Sequence, residues 1–324
     1  MAETARAFWV TGPGQGEIRA APLARAEGDA VTVRVLWSGI SRGTETLVFG
    51  GRVPESEWAV MRCPFQEGRF PFPVKYGYAA VGTVEAGPAE RRGQTVFALH
   101  PHQDRFTIPG DAALRVPDGV PARRAVLAAN VETAVNALWD SPVLPGQRVA
   151  VVGAGVVGAS VARLAARVPG TEVVIVDVDA AKAALAPALG CAFAAPGDAP
   201  QDCDAVFEAT GVPDGLVTAL ALAGREATVT VLSWYGTAPV TTPLGAGFHS
   251  RRLTVRSSQV GQVAPAQRPR WTHRRRLELA LELLADPVFD RLLGEETAFN
   301  RLPDTLSRLS TERGGGLCHL VHYR

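Results

Sequence analysis

Near its middle, the chain reads VAVVGAGVVG from Val149 to Gly158. The apolar run at 149–152 predicts a buried strand, and the apolar residues that follow the glycines recur at helical spacing. A strand, a GxGxxG loop and a helix in this order are typical of a dinucleotide-binding unit. In such a loop the glycines permit a tight turn, close approach of a pyrophosphate and close packing of helix on strand. We therefore predict that the helix N-terminus binds the phosphates of a dinucleotide, through Gly153, Gly155, Val156, Val157 and Gly158.

The next predicted strand, at 173–176, ends at Asp177, which lies 24 residues after Gly153. An acidic residue about 20 residues beyond the glycines binds the ribose hydroxyls in NAD-binding units. Asp177 is followed by Val178 and Asp179, and no arginine stands there to favour a 2′-phosphate. The sequence therefore predicts NAD rather than NADP, with Asp177 and Val178 at the ribose.

On either side of this motif, the spacing of apolar residues divides the chain into segments of different predicted structure. Apolar strands alternate with helical segments from about residue 125 to 257, which predicts parallel βαβ units. Before that, period-2 alternation at 31–35 and frequent turn residues favour an antiparallel β-barrel. The predicted fold class is α/β, a β-barrel domain plus a Rossmann doubly wound parallel sheet. The predicted boundaries are 1–128, 129–260 and a C-terminal segment, 261–324.

The composition of the 324 residues is that of a globular protein, with 47% hydrophobic and 20% charged residues. A net charge of +1 does not favour a nucleic-acid partner. We find no apolar run long enough to cross a membrane and no signal-peptide pattern at the N-terminus. The four cysteines form no CxxC pair. These features lead us to expect a cytoplasmic protein with reduced thiols, without a nucleic-acid or membrane partner.

Three further motifs extend the interpretation: GISRGTE from Gly39 to Glu45, Gly77-Tyr78-Ala79, and FEATG from Phe207 to Gly211. With the glycine loop, they make the chain resemble the medium-chain dehydrogenase/reductase superfamily from end to end. The resemblance implies a GroES-like first domain, a Rossmann domain, and a C-terminal segment that returns to the first domain. It also implies hydride transfer between a small-molecule alcohol and NAD, and a homodimer.

The catalytic zinc site of that superfamily is not preserved. Its ligand positions fall at Ser41 or Arg42, at Tyr78 and near Ala129, whereas zinc requires Cys, His or carboxylate ligands. The four-cysteine structural lobe is also missing. We therefore predict no metal. The GIS-x-GTE loop and the Gly-Tyr pair are similar to the bacteriochlorophyllide dehydrogenase branch, whose substrate does not carry over from such short motifs.

Without zinc, a protein group has to stabilise the developing alkoxide and handle its proton. Tyr78 is the first candidate, with Lys75 lowering its pKa if the two side chains meet; the alternative is an aromatic that fills vacated space. Ser41 and Thr44 are hydroxyls that either relay a proton or cap their own backbone. Glu132 either lies near the nicotinamide or stabilises a helix N-terminus.

Further cofactor contacts follow from the resemblance. They are Arg42 at the pyrophosphate, and Thr133, Thr210, Gly211, Ser233 and Ser258 elsewhere on the cofactor. His100 and His102 share a face if their segment is a strand, so a metal pair competes there with surface or core histidines. Five arginines are candidates for binding an anionic substrate, the alternative being a solvated turn or subunit contact: Arg268, Arg270, Arg274, Arg275 and Arg276.

Three functions remain open at this point. The leading one is zinc-independent, NAD(H)-dependent interconversion of a secondary alcohol and a carbonyl. The second is NAD(P)H-dependent reduction of a quinone or enoyl C=C bond, as in zinc-free members of the superfamily. The third is a nucleotide-binding protein without catalysis, which the loss of all zinc ligands would permit.

Overall fold

The computed structural model describes residues 4–312 and 316–324. Its strands are β1 Thr4–Gly12, β2 Gln15–Pro22, β3 Val31–Ile40, β4 Glu67–Gly68, β5 Val74–Lys75, β6 Ala80–Ala86, β7 Thr95–Ala98, β8 Arg105–Ile108, β9 Leu114–Arg115, β10 Arg148–Val152, β11 Glu172–Val176, β12 Ala192–Ala194, β13 Cys203–Glu208, β14 Ala223–Val231, β15 Thr254–Ser257, β16 Leu293–Ala298 and β17 Cys318–His322. Its α-helices are α1 Arg42–Phe49, α2 Ala122–Ala125, α3 Ala128–Asp140, α4 Val156–Ala165, α5 Ala186–Leu189, α6 Pro213–Leu222, α7 His273–Leu283 and α8 Leu302–Thr311.

Six of these strands form a parallel sheet in the order β12-β11-β10-β13-β14-β15. The strand order reverses between β10 and β13, and in doubly wound sheets ligands bind at such a point, beyond the carboxyl ends of the strands. The four apolar residues at the end of β10 are buried, as expected for a central parallel strand. The glycine loop follows directly from β10 and therefore lies at the reversal.

The remaining strands form two other sheets. One has the order β2-β1-β5-β4, and the other the order β16-β17-β3-β6-β7-β9 with β8 also paired to β3. Most of their pairs are antiparallel, whereas β16 and β17 are parallel. The α/β fold class, with a Rossmann-like parallel sheet beside a mostly antiparallel part, is confirmed.

A buried ion pair joins the parallel-sheet part to the C-terminal segment. Arg276 on α7 is 1% exposed, and its Nε donates to Glu132 Oε1 on α3 at 3.0 Å. The same guanidinium donates to Asn136 Oδ1 at 2.5 Å. Removing one partner of such a pair leaves an uncompensated buried charge, which typically costs about 3–5 kcal/mol. This pair therefore fixes α7 against α3.

No helix in the described part of the chain combines the length and apolar character needed to cross a membrane.

Candidate functional site

The glycine loop has the backbone geometry of a phosphate cradle. Gly153 has φ +104°, a conformation that L side chains rarely adopt. A Cβ on Gly158 would lie 1.9 Å from the carbonyl oxygen of Gly153, so only glycine lets α4 approach β10 this closely. A Cβ on Gly155 would meet nothing within 4 Å. The N-terminus of α4 has no side-chain cap, so its first N–H groups are available to a pyrophosphate over open space.

Asp177 lies at the carboxyl end of β11, beside this loop. Its Oδ2 accepts from Ala154 N–H at 2.7 Å and from Lys182 Nζ at 3.1 Å, and its Oδ1 accepts from Asp179 N–H at 2.9 Å. Burial acts to raise the pKa of Asp177, but these hydrogen bonds outweigh it and the pKa is lowered. Val178 is 86% exposed. The sequence reasoning missed Lys182, a cation one turn beyond the carboxylate.

A second buried carboxylate organises the neighbouring loops. Glu208 ends β13, and its Oε1 accepts from the backbone N–H and the hydroxyl of Thr210 at 2.8 and 2.5 Å. Its Oε2 accepts from Tyr235 Oη at 2.7 Å. Burial first, and then the hydrogen bond to Glu208, raises the pKa of Tyr235. Gly211 N–H donates to Ser233 Oγ at 2.8 Å. Glu208 thus holds together the loops that carry Thr210, Gly211 and Ser233.

The loop after β14 reaches across to α1. Trp234 packs against the hydrophobic cluster that also contacts Tyr78. Gly236 has φ +60°, and a Cβ there would lie 2.6 Å from the carbonyl oxygen of Arg52, just beyond α1. The loop that carries Ser233 therefore borders the same part of the molecule as Tyr78.

Ser41 and Tyr78 meet, although 37 residues separate them. Tyr78 Oη donates to Ser41 Oγ at 2.5 Å. Burial, and next the charge of Glu45, raises the pKa of Tyr78 well above that of an ordinary phenol, and hydrogen bonds with Ser41 and Thr44 only partly oppose this. Tyr78 is therefore a neutral hydrogen-bond donor. Among the described residues, no protein group accepts the hydroxyl proton of Ser41.

A further set of polar side chains lies behind this pair. Glu45 Oε2 accepts from His102 Nε2 at 2.8 Å, and His102 Nδ1 contacts Ser38 Oγ at 2.7 Å. Ser38 Oγ contacts Tyr323 Oη at 2.8 Å. The sequence reasoning singled out His102 for another role and gave none to Glu45, Ser38 or Tyr323. Glu45 could have been chosen as a candidate from the sequence, because it is a carboxylate within the GISRGTE motif.

Two predicted catalytic roles are corrected. Lys75 does not lower the pKa of Tyr78: its Nζ donates to Gln103 Oε1 at 2.8 Å and pairs with Glu67, at the edge of a separate cavity of about 310 Å³. Glu132 is 5% exposed and paired with Arg276, so it is not available as an acid or base at a nicotinamide. Burial raises the pKa of Glu132, and the charge of Arg276 opposes that effect.

Several predicted cofactor contacts have partners within the protein. Arg42 pairs with Glu312 at 3.3 Å, which directs it to the segment after α8. The hydroxyl of Thr133 donates to Ala129 O at 2.9 Å within α3. Ser258 is 8% exposed; its N–H donates to Val231 O at 2.9 Å and its hydroxyl to Asp140 Oδ2 at 2.7 Å. The backbone N–H of Ser258 is therefore already used.

The two histidines do not form a metal pair. His100 stacks on Phe106 with ring centroids 3.7 Å apart, and burial lowers its pKa to about 3. His102 points instead to Glu45, since their segment lies beyond the end of β7 rather than within a strand. In residues 4–312 and 316–324, no three His, Cys, Asp or Glu side chains are grouped so that they could hold a metal ion.

The arginine cluster is largely committed to protein contacts. Arg276 is buried with Glu132, so it is not available to an anionic substrate. Arg274 pairs with Glu278 at 2.8 Å, and Arg275 lies over the ring of Trp271 at 4.0 Å. Arg268 Nε donates to Val263 O at 2.8 Å. These contacts favour a structural role for the cluster.

Comparisons with known proteins agree with this architecture. Residues 148–189 match the family model of the 3-hydroxyacyl-CoA dehydrogenase NAD binding domain. No curated protein matches the chain in a sequence search.

Many solved structures share the fold over almost the whole chain. A dehydrogenase from Sinorhizobium meliloti bound to NADP is 19% identical, with a TM-score of 0.77 and 99% of each chain covered. A short chain alcohol dehydrogenase from Escherichia coli complexed with NADH is 15% identical, with a TM-score of 0.76 and 99% of each chain covered. The 2R,3R-butanediol dehydrogenase from Bacillus subtilis is 16% identical, with a TM-score of 0.77 and coverage of 99% of this chain and 100% of that one. At these identities the likeness establishes the two-part fold.

Proposed function

We propose that this protein is an NAD(H)-dependent oxidoreductase of the medium-chain dehydrogenase/reductase type that interconverts a secondary alcohol and a carbonyl without catalytic zinc. The hydrogen bond between the hydroxyls of Ser41 and Tyr78 carries the proposal, because the resemblance would place zinc ligands at Tyr78 and at either Ser41 or Arg42. The dehydrogenase names of the structural neighbours support the reaction class.

The glycine loop and the uncapped N-terminus of α4 would hold the pyrophosphate of the cofactor. A bound nicotinamide would take or give the hydride. The chain itself has to stabilise the substrate oxygen as charge develops on it. In the proposed arrangement Tyr78 donates to Ser41 Oγ, and the hydroxyl proton of Ser41 is directed to the substrate oxygen. A phenol that stays protonated suits this role as a donor.

For the cofactor, we propose NAD over NADP. Asp177 places a negative charge at the end of β11, where a carboxylate binds ribose hydroxyls and repels a 2′-phosphate. Lys182 partly offsets that charge at 3.1 Å, so the preference is expected to be moderate. Titration with NADH and NADPH measures it directly; tighter binding of NADPH would refute the assignment.

We also propose that two copies associate as a homodimer. Strand β15 is the edge of the parallel sheet, all four of its residues are exposed, and Val255 is 42% exposed. Such an edge offers unpaired backbone groups to another strand. Sedimentation velocity should show a dimer, and Val255→Lys should shift it toward monomer.

The reaction is tested with purified protein, NAD and a panel of secondary alcohols, beside NADH with quinones and enones. We expect alcohol oxidation that EDTA does not reduce, with no stoichiometric zinc by elemental analysis. Turnover of only the quinones or enones would instead support C=C reduction. Binding of NADH without turnover of any compound would support a non-catalytic nucleotide-binding protein. About one tightly held zinc per chain would refute the metal-free assignment.

A further inference from the structure

Glu45 uses its two carboxylate oxygens for two different parts of the candidate site. Oε1 accepts from the backbone N–H of Ser41 at 2.8 Å, and Oε2 accepts from His102 Nε2 at 2.8 Å. Glu45 is 4% exposed and His102 is 1% exposed, so water does not compete for these bonds. Hydrogen bonds to a buried carboxylate are stronger than those between neutral groups. The pair therefore fixes the residue that precedes α1.

His102 also contacts the segment that carries Tyr78. Gly77 has φ +131°, and a Cβ there would lie 3.0 Å from His102 Cδ2. The imidazole thus packs directly against the backbone just before Tyr78, while its Nδ1 is held by Ser38 Oγ at 2.7 Å. Glu45 and His102 together reach both ends of the Ser41–Tyr78 hydrogen bond.

The carboxylate of Glu45 also influences the acids around it. The pKa values of five surrounding groups are raised, mainly by burial and further by the charge of Glu45. The groups are Cys63, Tyr76, Tyr78, Cys318 and Tyr323. Cys63 lies in the loop between α1 and β4, and Tyr76 and Tyr78 lie in the segment after β5. Cys318 belongs to β17, and Tyr323 follows it. A second negative charge in this enclosed region would be repelled by the first.

We propose that Glu45 and His102 are positioning residues that hold Ser41 and Tyr78 in contact, and that the buried charge of Glu45, which binds the same serine as Tyr78, opposes ionisation of that phenol. The link to catalysis rests on the proposed function, whereas the electrostatic link between Glu45 and Tyr78 is measurable without turnover. Neither residue contacts the substrate in this arrangement; both act through the hydroxyl pair.

The first experiment replaces Tyr78 by 3-nitrotyrosine, whose phenol is more acidic and whose anion absorbs visible light. Its ionisation is titrated in the full-length protein with Glu45, with Glu45→Gln and with Glu45→Asp. Glu27→Gln, at an exposed position in the loop after β2, is the matched control for loss of a carboxylate. We expect Glu45→Gln to ionise at a pH lower by at least about one unit, the scale of one nearby charge. Glu45→Asp and the Glu27 control should titrate like the parent.

The second experiment measures turnover and NADH affinity in the same variants with natural Tyr78. Glu45→Gln and His102→Asn should lower kcat at least about tenfold, within the range of a misplaced proton donor. NADH affinity should stay within a few-fold, because neither side chain contacts the glycine loop. Glu45→Asp should leave the titration of the phenol at position 78 as in the parent but lower kcat, since its shorter side chain cannot reach both partners.

Identical titration of the parent and Glu45→Gln would overturn the proposal. If Glu45→Gln does not fold, the Glu45→Asp and His102→Asn proteins decide: normal kcat in both would overturn the positioning role. A shifted titration in a protein that oxidises no alcohol would leave the electrostatic link standing and refute the proposed function instead.

Discussion

The glycine loop and the Ser41–Tyr78 region use different physical means to build a site. In the glycine loop the decisive property is space: a single methyl group on Gly158 would collide with the backbone of Gly153. Around Ser41 and Tyr78 the decisive property is the functional group: Tyr78 donates to the hydroxyl of Ser41, and the carboxylate of Glu45 binds the imidazole of His102. The glycine loop requires the absence of side chains, whereas the Ser41–Tyr78 region requires particular functional groups on its side chains.

The largest effect should come from the second region. Tyr78→Phe keeps the ring and removes only the hydroxyl, so it separates chemistry from packing. Because a positioned proton donor contributes about 10²–10⁴-fold to a rate, we expect kcat to fall by that order. NADH affinity and thermal stability should be nearly unchanged. Steady-state kinetics and NADH titration check this; turnover within a few-fold of the parent would identify Tyr78 as a space-filling aromatic.

The glycine loop should respond in the opposite way. Gly158→Ala adds one methyl group 1.9 Å from the Gly153 oxygen, so the loop or α4 has to shift. Overpacking of this kind costs about 1–3 kcal/mol, and we expect NADH binding to weaken by about 10- to 100-fold. Gly245→Ala is the matched control, since its Cβ would also meet nothing within 4 Å of protein and Gly245 lies outside the glycine loop. Fluorescence titration measures both; equal affinity of Gly158→Ala and the parent would contradict the spatial argument.

At the end of β11, unlike in the glycine loop, side-chain chemistry rather than space should dominate. Asp177→Ser with Val178→Arg removes a carboxylate and adds a phosphate-binding cation. We expect preference to shift toward NADPH by about tenfold or more, the equivalent of one charge-assisted hydrogen bond of roughly 1.5 kcal/mol. Competition between NADH and NADPH tests it. No shift in the double variant would mean that the ribose lies elsewhere.

A buried histidine should make the stability of the protein depend on pH. His100 is buried and neutral in the mostly antiparallel part, with a pKa lowered to about 3 by burial. Between the ordinary histidine pKa of about 6.5 and that lower value, only the unfolded chain binds the proton. Stability from this group is therefore fully present above pH 6.5 and is lost as pH falls, by about 1.4 kcal/mol per unit. His100→Gln should show a flatter fall in melting temperature from pH 7 to pH 5 than the parent; equal slopes would contradict the burial effect.

The sequence predicted the parallel sheet and the turn that follows β10 well because their determinants are local. The glycines stand within six residues, Asp177 follows at the expected distance, and the parallel sheet follows from alternating patterns. The region around Ser41 and Tyr78 depends on pairs such as Glu45 with His102 and Ser38 with Tyr323, which lie 57 and 285 residues apart. No spacing rule reveals such partners. The same limit explains why the buried ion pair of Glu132 was not predicted, since its partner Arg276 is 144 residues away.

Lys75 shows a second limit of predicting contacts from the sequence. Its distance of three residues from Tyr78 suggested contact, but β5 ends at Lys75 and the chain then turns through Gly77 at φ +131°. The two side chains therefore leave the backbone toward different neighbours. Proximity in sequence predicts proximity of side chains only where the backbone conformation is known.

The position of β17 has a consequence for how the protein is made. β17 lies between β16 and β3 in the sheet, although it follows every strand of the parallel sheet in the chain. During synthesis, β10 to β15 all leave the ribosome before β17 does. The strands of the parallel sheet can therefore pair with one another first. Until then residues 37–40 of β3 lack the partner that β17 provides, although β8 already pairs with residues 31–34, and an exposed edge is a template for aggregation. Chaperone dependence of the newborn chain should therefore concentrate in the half that was synthesised first.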